Sequence, residues 1–299
     1  MGTRGILNPQ GACGKYRSWV RPPSEETLWF LEGHWGASWN LSQPYTQELL
    51  LCPSAYVVFG THSPGVHGAV TRRVTAQLIG DGWVFGTRFK PGAFRTFADR
   101  SMHDLCDRVV PLREVFGADG ERLSDGVCAA HETDARVALV EAFFTARATK
   151  PSADAQVVER AVTLARSEHE LSRVQDLAAR VGVSVRVLEM KFREFVGMSP
   201  KVMLLRCRVQ EAAMCLLAGE RVDFAELALR CGYVDQAHLI REFKLQTGLT
   251  PGQYVRRCAQ GTAQVERRAE VLLANEQAPS SSVHPREDAA SRAVPVGMR

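Results

Sequence analysis

The chain has 299 residues, 45% hydrophobic and 23% charged, with a formal net charge of +4 and a pI near 8.7. That composition excludes a disordered or fibrous chain and suits about two ordinary domains, and the mild basicity is compatible with a nucleic-acid partner without requiring one. No apolar run approaches the ~20 residues that span a bilayer, and the N-terminus has no apolar h-region, so a cytoplasmic protein with neither export nor membrane anchor is expected.

Residues 1–20 are Gly-rich and aperiodic and are expected to be a loose start. From about 25 to 90 the pattern is strand-like, in "GHWGASWNL", "ELLLCPSAYVVFG" and "RRVTAQLIGDGWVFGTRF". Within the last, Asp81-Gly82 between apolar runs is a hairpin-turn signal. From 93 to 148 the apolar spacing turns helical. The expectation for 21–148 is a β-rich sensor- or dimerisation-like domain with C-terminal helices. Residues 149–153, in "TKPSAD", read as a linker.

Beyond the linker everything is helical. "VQDLAARVG" ends at Gly182 as a C-cap. "SVRVLEMKFREFVG" starts at Ser184 as N-cap and stops at Gly197. A long helix opens at Pro200 in "SPKVMLLRCRVQEAAMCLLAGE". "VDFAELALRCG" follows, then "DQAHLIREFKLQTG", capped by Asp235 and stopped by Gly248, and "TPGQYVRRC" begins a last helix. With "DAQVVERAVTLARSEH" at the front, this makes seven helices over 154–258. Residues 259–299 read as a disordered tail. The fold class expected is α+β for the N-terminal domain, a small sheet followed by helices, and all-α for the C-terminal one.

The helical region repeats itself. Leu177, Ala178, Arg180 and Gly182 recur as Leu227, Ala228, Arg230 and Gly232, 50 residues on. Leu188, Phe192, Gly197 and Pro200 recur as Leu239, Phe243, Gly248 and Pro251, at 51. One residue has entered the second turn. Leu and Phe four apart share a helix face, Ala lets two helices approach, and Gly lets the chain reverse, so the shared residues are scaffold for a helix-turn-helix. The unshared residues lie on the opposite face: Arg186, Glu189, Met190 and Arg193 in one copy, and Gln236, Ile240, Arg241 and Lys244 in the other, flanked by Ala237 and His238. A kept scaffold with a varied polar face suits two heads that enter the major groove. The helix between them, roughly 28 Å long at ~1.5 Å per residue, would with its turns separate the heads by about one turn of B-DNA, ~34 Å. A helical bundle that binds protein is the plainer alternative.

These residues resemble the DNA-binding domain of the AraC/XylS-type bacterial transcription regulators. "LAARVGVSVRVLEMKF", "SPKVMLLR" and "ELALRCGYVDQAHLIREFKLQTGLTPGQY" carry the likeness over about 155–257. "VFGTRFKPGAF" and "DRVVPLREVFG" are similar to the sensor-like domain of one branch of that family. The resemblance implies recognition helices at 184–196 and 235–247. By position, its base-contacting residues fall on Arg186, Glu189, Met190, Gln236, His238 and Arg241. Met190 stands where the family usually has Arg. Met cannot bond a guanine bidentately, so copy one would read by apolar contact with a thymine methyl and copy two would dominate specificity.

Lys191, Arg193, Lys201 and Lys244 are phosphate candidates, which position without specifying. The alternative is a solvated helix face for Arg241 and the charged candidates, a helix-start polar residue for Gln236, and a helix-packing or solvent role for His238. Arg180 and Arg230 recur as scaffold and are expected to support the turns. Trp29, Trp35, Trp39 and Trp83 are expected to fill the first domain's core rather than line a ligand pocket. His62 and His67 lack a third ligand nearby, and no metal or cofactor is expected. The eight cysteines form no C-x-x-C pair and are read as reduced thiols, with Cys207, Cys215 and Cys231 as small core residues. The partners implied are double-stranded DNA, a small-molecule effector at the N-terminal domain and a second copy of the chain. The chain is not expected to be an enzyme. A DNA-repair enzyme carrying the same module would need an activated cysteine in a Pro-Cys-His-Arg setting, which the chain lacks. A P-loop and the common hydrolase motifs are also missing. A DNA-free helical adaptor is the third reading.

Overall fold

The computed structural model describes residues 14–51, 53–61, 63–168, 171–218 and 223–259. Cys13, Cys52, His62 and all but the first residue of the expected tail lie outside that set.

Six antiparallel-paired strands form one sheet in the order β1-β2-β5-β3-β4-β6. They are β1 (Arg17–Arg21), β2 (Leu31–Leu49), β3 (Tyr56–Gly60), β4 (Gly65–His67), β5 (Val74–Phe89) and β6 (Val109–Val110). Helices α1 (Met102–Leu105), α2 (Leu112–Ala129) and α3 (Thr133–Thr145) follow. The helix α2 breaks at Gly117, whose φ of 62° and ψ of −146° suit only glycine. Phe30, Phe59, Phe85, Phe89, Phe94 and Phe144 are buried between sheet and helices. Phe89 and Phe144 meet edge-on at 4.8 Å.

Two sequence expectations fail in this domain. Residues 17–20 are not loose but belong to strand β1, paired with β2. Asp81-Gly82 is not a hairpin turn but lies inside β5, opposite Asn40 and Trp39. The glycine serves packing instead. A Cβ on Gly82 would stand 2.6 Å from the Trp39 ring. The same device recurs at two more cross-strand pairs. Trp19 faces Gly36 and Trp35 faces Gly86, and a Cβ on either glycine would lie 2.4 Å from the indole. Each glycine clears space for a tryptophan from the neighbouring strand. Trp39 is buried, and Trp19, Trp29 and Trp83 pack half-buried against the core. Between Leu41 and Tyr45 the register shifts, so Ser42, Gln43 and Pro44 bulge where proline costs no ladder bond.

The remaining helices are α4 (Ala153–Ser167), α5 (Val174–Val181), α6 (Val185–Phe195), α7 (Pro200–Leu217), α8 (Phe224–Arg230), α9 (Gln236–Thr247) and α10 (251–259). They bury two separate cores, and α7 serves both. Met203 and Leu204 join the core of α4, α5 and α6, while Val209, Ala212 and Leu216 join that of α8, α9 and α10.

Candidate nucleic-acid interface

Each helix-turn-helix unit is built as its letters require. Gly182 ends α5 in the left-handed region at φ 76°, and the backbone N–H of Val183 donates to the Ala178 carbonyl at 3.1 Å. Ser184 then caps α6, its hydroxyl accepting from the Val187 N–H at 3.3 Å. In the second unit Tyr233 N–H donates to the Ala228 carbonyl at 2.8 Å, and the Asp235 carboxylate caps α9 by accepting from the His238 N–H at 2.6 Å. Leu177, Ala178, Leu188 and Phe192 are buried in the first unit, and Leu227, Ala228, Leu239 and Phe243 in the second.

The arginines of the scaffold brace the turns. Arg180 pairs with Glu168 at the end of α4 at 2.9 Å, and Arg230 donates to the Cys215 sulfur on α7 at 2.6 Å. Arg208 of α7 sits over the Tyr233 ring at 5.7 Å, and burial lowers the pKa of its guanidinium. Burial likewise pushes the Cys231 thiol up to about 12, so it stays an unreactive core residue. Cys207 and Cys215 are half-buried.

The opposite faces are open. Arg186, Glu189, Met190 and Arg193 are all exposed on α6, at i, i+3, i+4 and i+7. On α9, Gln236, Ala237, Arg241 and Lys244 are exposed, and Lys201 is exposed in the first turn of α7. Arg186, Arg193, Lys201, Arg241 and Lys244 have no ion partner among the described residues. Two predicted residues stand apart from this surface. Lys191 is half-buried and ion-paired with Asp154 of α4. His238 is half-buried, its ring edge-on to Tyr233 at 5.2 Å. Of the metal candidates, His62 lies outside the described residues, and His67 donates from Nε2 to the Ser63 carbonyl at 2.7 Å.

The structure also shows what the sequence reading passed over. The four most exposed large hydrophobic residues among those described are Val234 at 81%, Leu245 at 78%, Leu229 at 70% and Met190 at 58%. All four lie on the two helix-turn-helix units. A second set of contacts ties the sheet to the helical region. Leu50 is buried in the core of the second unit, Gln210 donates to its carbonyl at 2.9 Å, and the fully buried Arg206 donates to the Leu51 carbonyl at 3.0 Å. Arg95 of the first domain pairs with Glu194 of α6 at 2.6 Å. Glu48, at the end of β2, pairs with Arg73 at 2.7 Å and with Arg257 of α10.

A family model described as a helix-turn-helix domain matches residues 177–257, and one described as a domain of unknown function matches residues 20–111. The F1 operon positive regulatory protein of Yersinia pestis is 34% identical over 87 residues, which is 29% of this chain and 29% of that protein's length. Among solved structures, an AraC-type DNA-binding regulator from Chromobacterium violaceum is 26% identical over 36% of this chain and 92% of that one, with a TM-score of 0.32. ToxT from Vibrio cholerae O395 is 12% identical over 82% of this chain and 98% of that one, with a TM-score of 0.38. Two capped helix-turn-helix units on separate cores, joined by one helix, thus lie where the helix-turn-helix family model matches, and this C-terminal region is similar to AraC-type DNA-binding domains.

Proposed function

We propose that this chain is a bacterial transcription regulator that binds double-stranded DNA in the cytoplasm. The helices α6 and α9 would read two successive major-groove segments. The observation that carries this is the pair of equivalent faces, exposed and rich in cations without an ion partner among the described residues, each held on its own core and both borne by α7. A rigid scaffold with matched open faces is what a two-headed groove reader requires.

Arg241 takes the role of bidentate reader of a guanine, with Gln236 pairing an adenine and Arg186 a guanine in the first unit. Glu189 suits a cytosine amino group, and Met190 a thymine methyl. Arg193, Lys201 and Lys244 position the chain on phosphates. Lys191, held by Asp154, leaves the phosphate set, and His238, packed on Tyr233, leaves the base-reading set. The N-terminal domain, latched to α7 through Arg206 and Gln210, takes the role of a sensor or dimerisation module that sets how the units present themselves. A small-molecule effector and a second copy of the chain are its proposed partners.

The test is in vitro selection of duplex sites by the full chain, followed by binding across a salt series. A regulator of this kind yields a preferred sequence and an affinity that falls steeply with salt. A chain that binds no duplex at low salt refutes the reading.

A further inference from the structure

The two units are structural repeats with one residue added, and the backbone identifies that residue. Val183 and Tyr233 are equivalent, because each donates its N–H to the carbonyl of the residue five before it, Ala178 or Ala228. Ser184 and Asp235 are equivalent, because each caps the next helix through its side chain. Val183 and Ser184 are adjacent; between Tyr233 and Asp235 stands Val234. Both Val183 and Tyr233 face their cores, Val183 packed against the first and Tyr233 buried in the second. The added Val234 does not. At 81% it is the most exposed large hydrophobic among the described residues, at the mouth of the turn just before α9. It supports no core, and its place is where a recognition helix first meets base edges.

Past the caps the helices align at an offset of 51, which pairs Arg186 with Ala237 and Met190 with Arg241. Met190 and Arg241 each lie two residues from both buried anchors of their helix, so at ~100° per residue they point directly away from the core. The first unit therefore offers arginine in its first turn and an apolar side chain in its second. The second unit offers apolar groups first, Val234 and then Ala237, and arginine in its second turn.

We propose that Val234, with Ala237 beside it, reads a thymine 5-methyl group in the second half-site, and that the two units read their apolar and guanine contacts in opposite order. This rests on the DNA-reading function proposed above. Arginine suits guanine O6 and N7, and an apolar side chain suits the thymine methyl. The two half-sites then differ in the order of these contacts and are not direct repeats, although the units that read them are.

The test uses the full chain and the duplex it selects. Each thymine is replaced in turn by deoxyuridine, which removes only the 5-methyl group. At one or two positions facing the second unit the Kd rises, by about 3–10-fold. Val234→Ser removes that penalty, while Arg241→Ala leaves it in place. Because Val234 lies outside the cores, its variant melts like the parent, which separates a contact effect from misfolding. If uracil is tolerated throughout the second half-site, or if Val234→Ser leaves the penalty unchanged, the inference is overturned while the proposed function stands. If no preferred duplex emerges at all, the proposed function falls first.

Discussion

Arg241 and Lys244 are three apart on α9, both exposed and both cationic, yet they are assigned different work. Arg241 points directly away from the core, where a planar fork can meet a base edge. Lys244 is a point charge at the flank of that face. Arg241→Ala is expected to relax preference at one base pair by about 1–3 kcal/mol, measured on a panel of single-base variants of the selected site. Lys244→Ala is expected to weaken every sequence alike and to lower the salt slope by about one. Lys191→Ala makes a third, contrasting case. Its amine is already bound to Asp154, so the salt slope should stay as in the parent. A slope that drops as far as for Lys244→Ala would return Lys191 to the phosphate set.

The strands β1, β2 and β5 are held in register by tryptophans lying over glycines. Their indoles occupy the volume that a Cβ on the partner strand would need. Gly86→Ala would force the Trp35 ring and its neighbours to move, and overpacking of that kind costs about 1–3 kcal/mol. A denaturation midpoint unchanged by that substitution would show that the ring can shift freely. In the helical region the comparable device is the cap. Ser184, Ser199 and Asp235 each satisfy a backbone N–H at a helix start, and Gly182, Gly197 and Gly248 reverse the chain at positive φ. These elements depend on neighbours within a few residues.

Across the whole molecule, the sheet and the helical region are joined by buried polar contacts to α7. Arg206→Ala removes the donor to the Leu51 carbonyl and leaves a cavity beside it. The full chain should lose about 2–4 kcal/mol, and the first domain's melting should separate from that of α7–α10 in calorimetry. A single unchanged transition would refute the latch. Acid should also weaken the first domain. His34 is fully buried, its Nδ1 meeting the Thr87 hydroxyl at 2.9 Å and its Nε2 meeting Glu141 at 3.0 Å. Burial holds the His34 pKa below its ordinary value despite that carboxylate, and burial lowers His67 as well. Burial alone would raise Glu141, but hydrogen bonds from His34, Ser24 and Thr27 outweigh it and hold the carboxyl below its usual range. All three groups bind protons more readily when unfolded. Their stabilisation is therefore present above the unfolded histidine value of about 6.5 and is lost as pH falls below it, with Glu141 adding its share at lower pH. The melting temperature of the parent should fall between pH 7 and pH 5, and that of His34→Gln should fall less.

The sequence by itself determined the helical region: its order of helices, its caps, its doubled scaffold and the face left open on each second helix. Those features are written in local periodicity and in the turn chemistry of single residues such as Ser184, Gly182 and Asp235. The sequence also showed that one residue had been added in the turn of the second copy, as the offset moved from 50 to 51. Only the tertiary structure decided that the added residue is Val234, because that required matching backbone hydrogen bonds. Strand pairing is likewise non-local. Nothing near Asp81-Gly82 says that Trp39 lies across from it, so a packing glycine read as a turn. Residues 17–20 became a strand only because β2 offers them an edge. Lys191 is likewise half-buried against Asp154, a partner 37 residues away that only the fold brings to it.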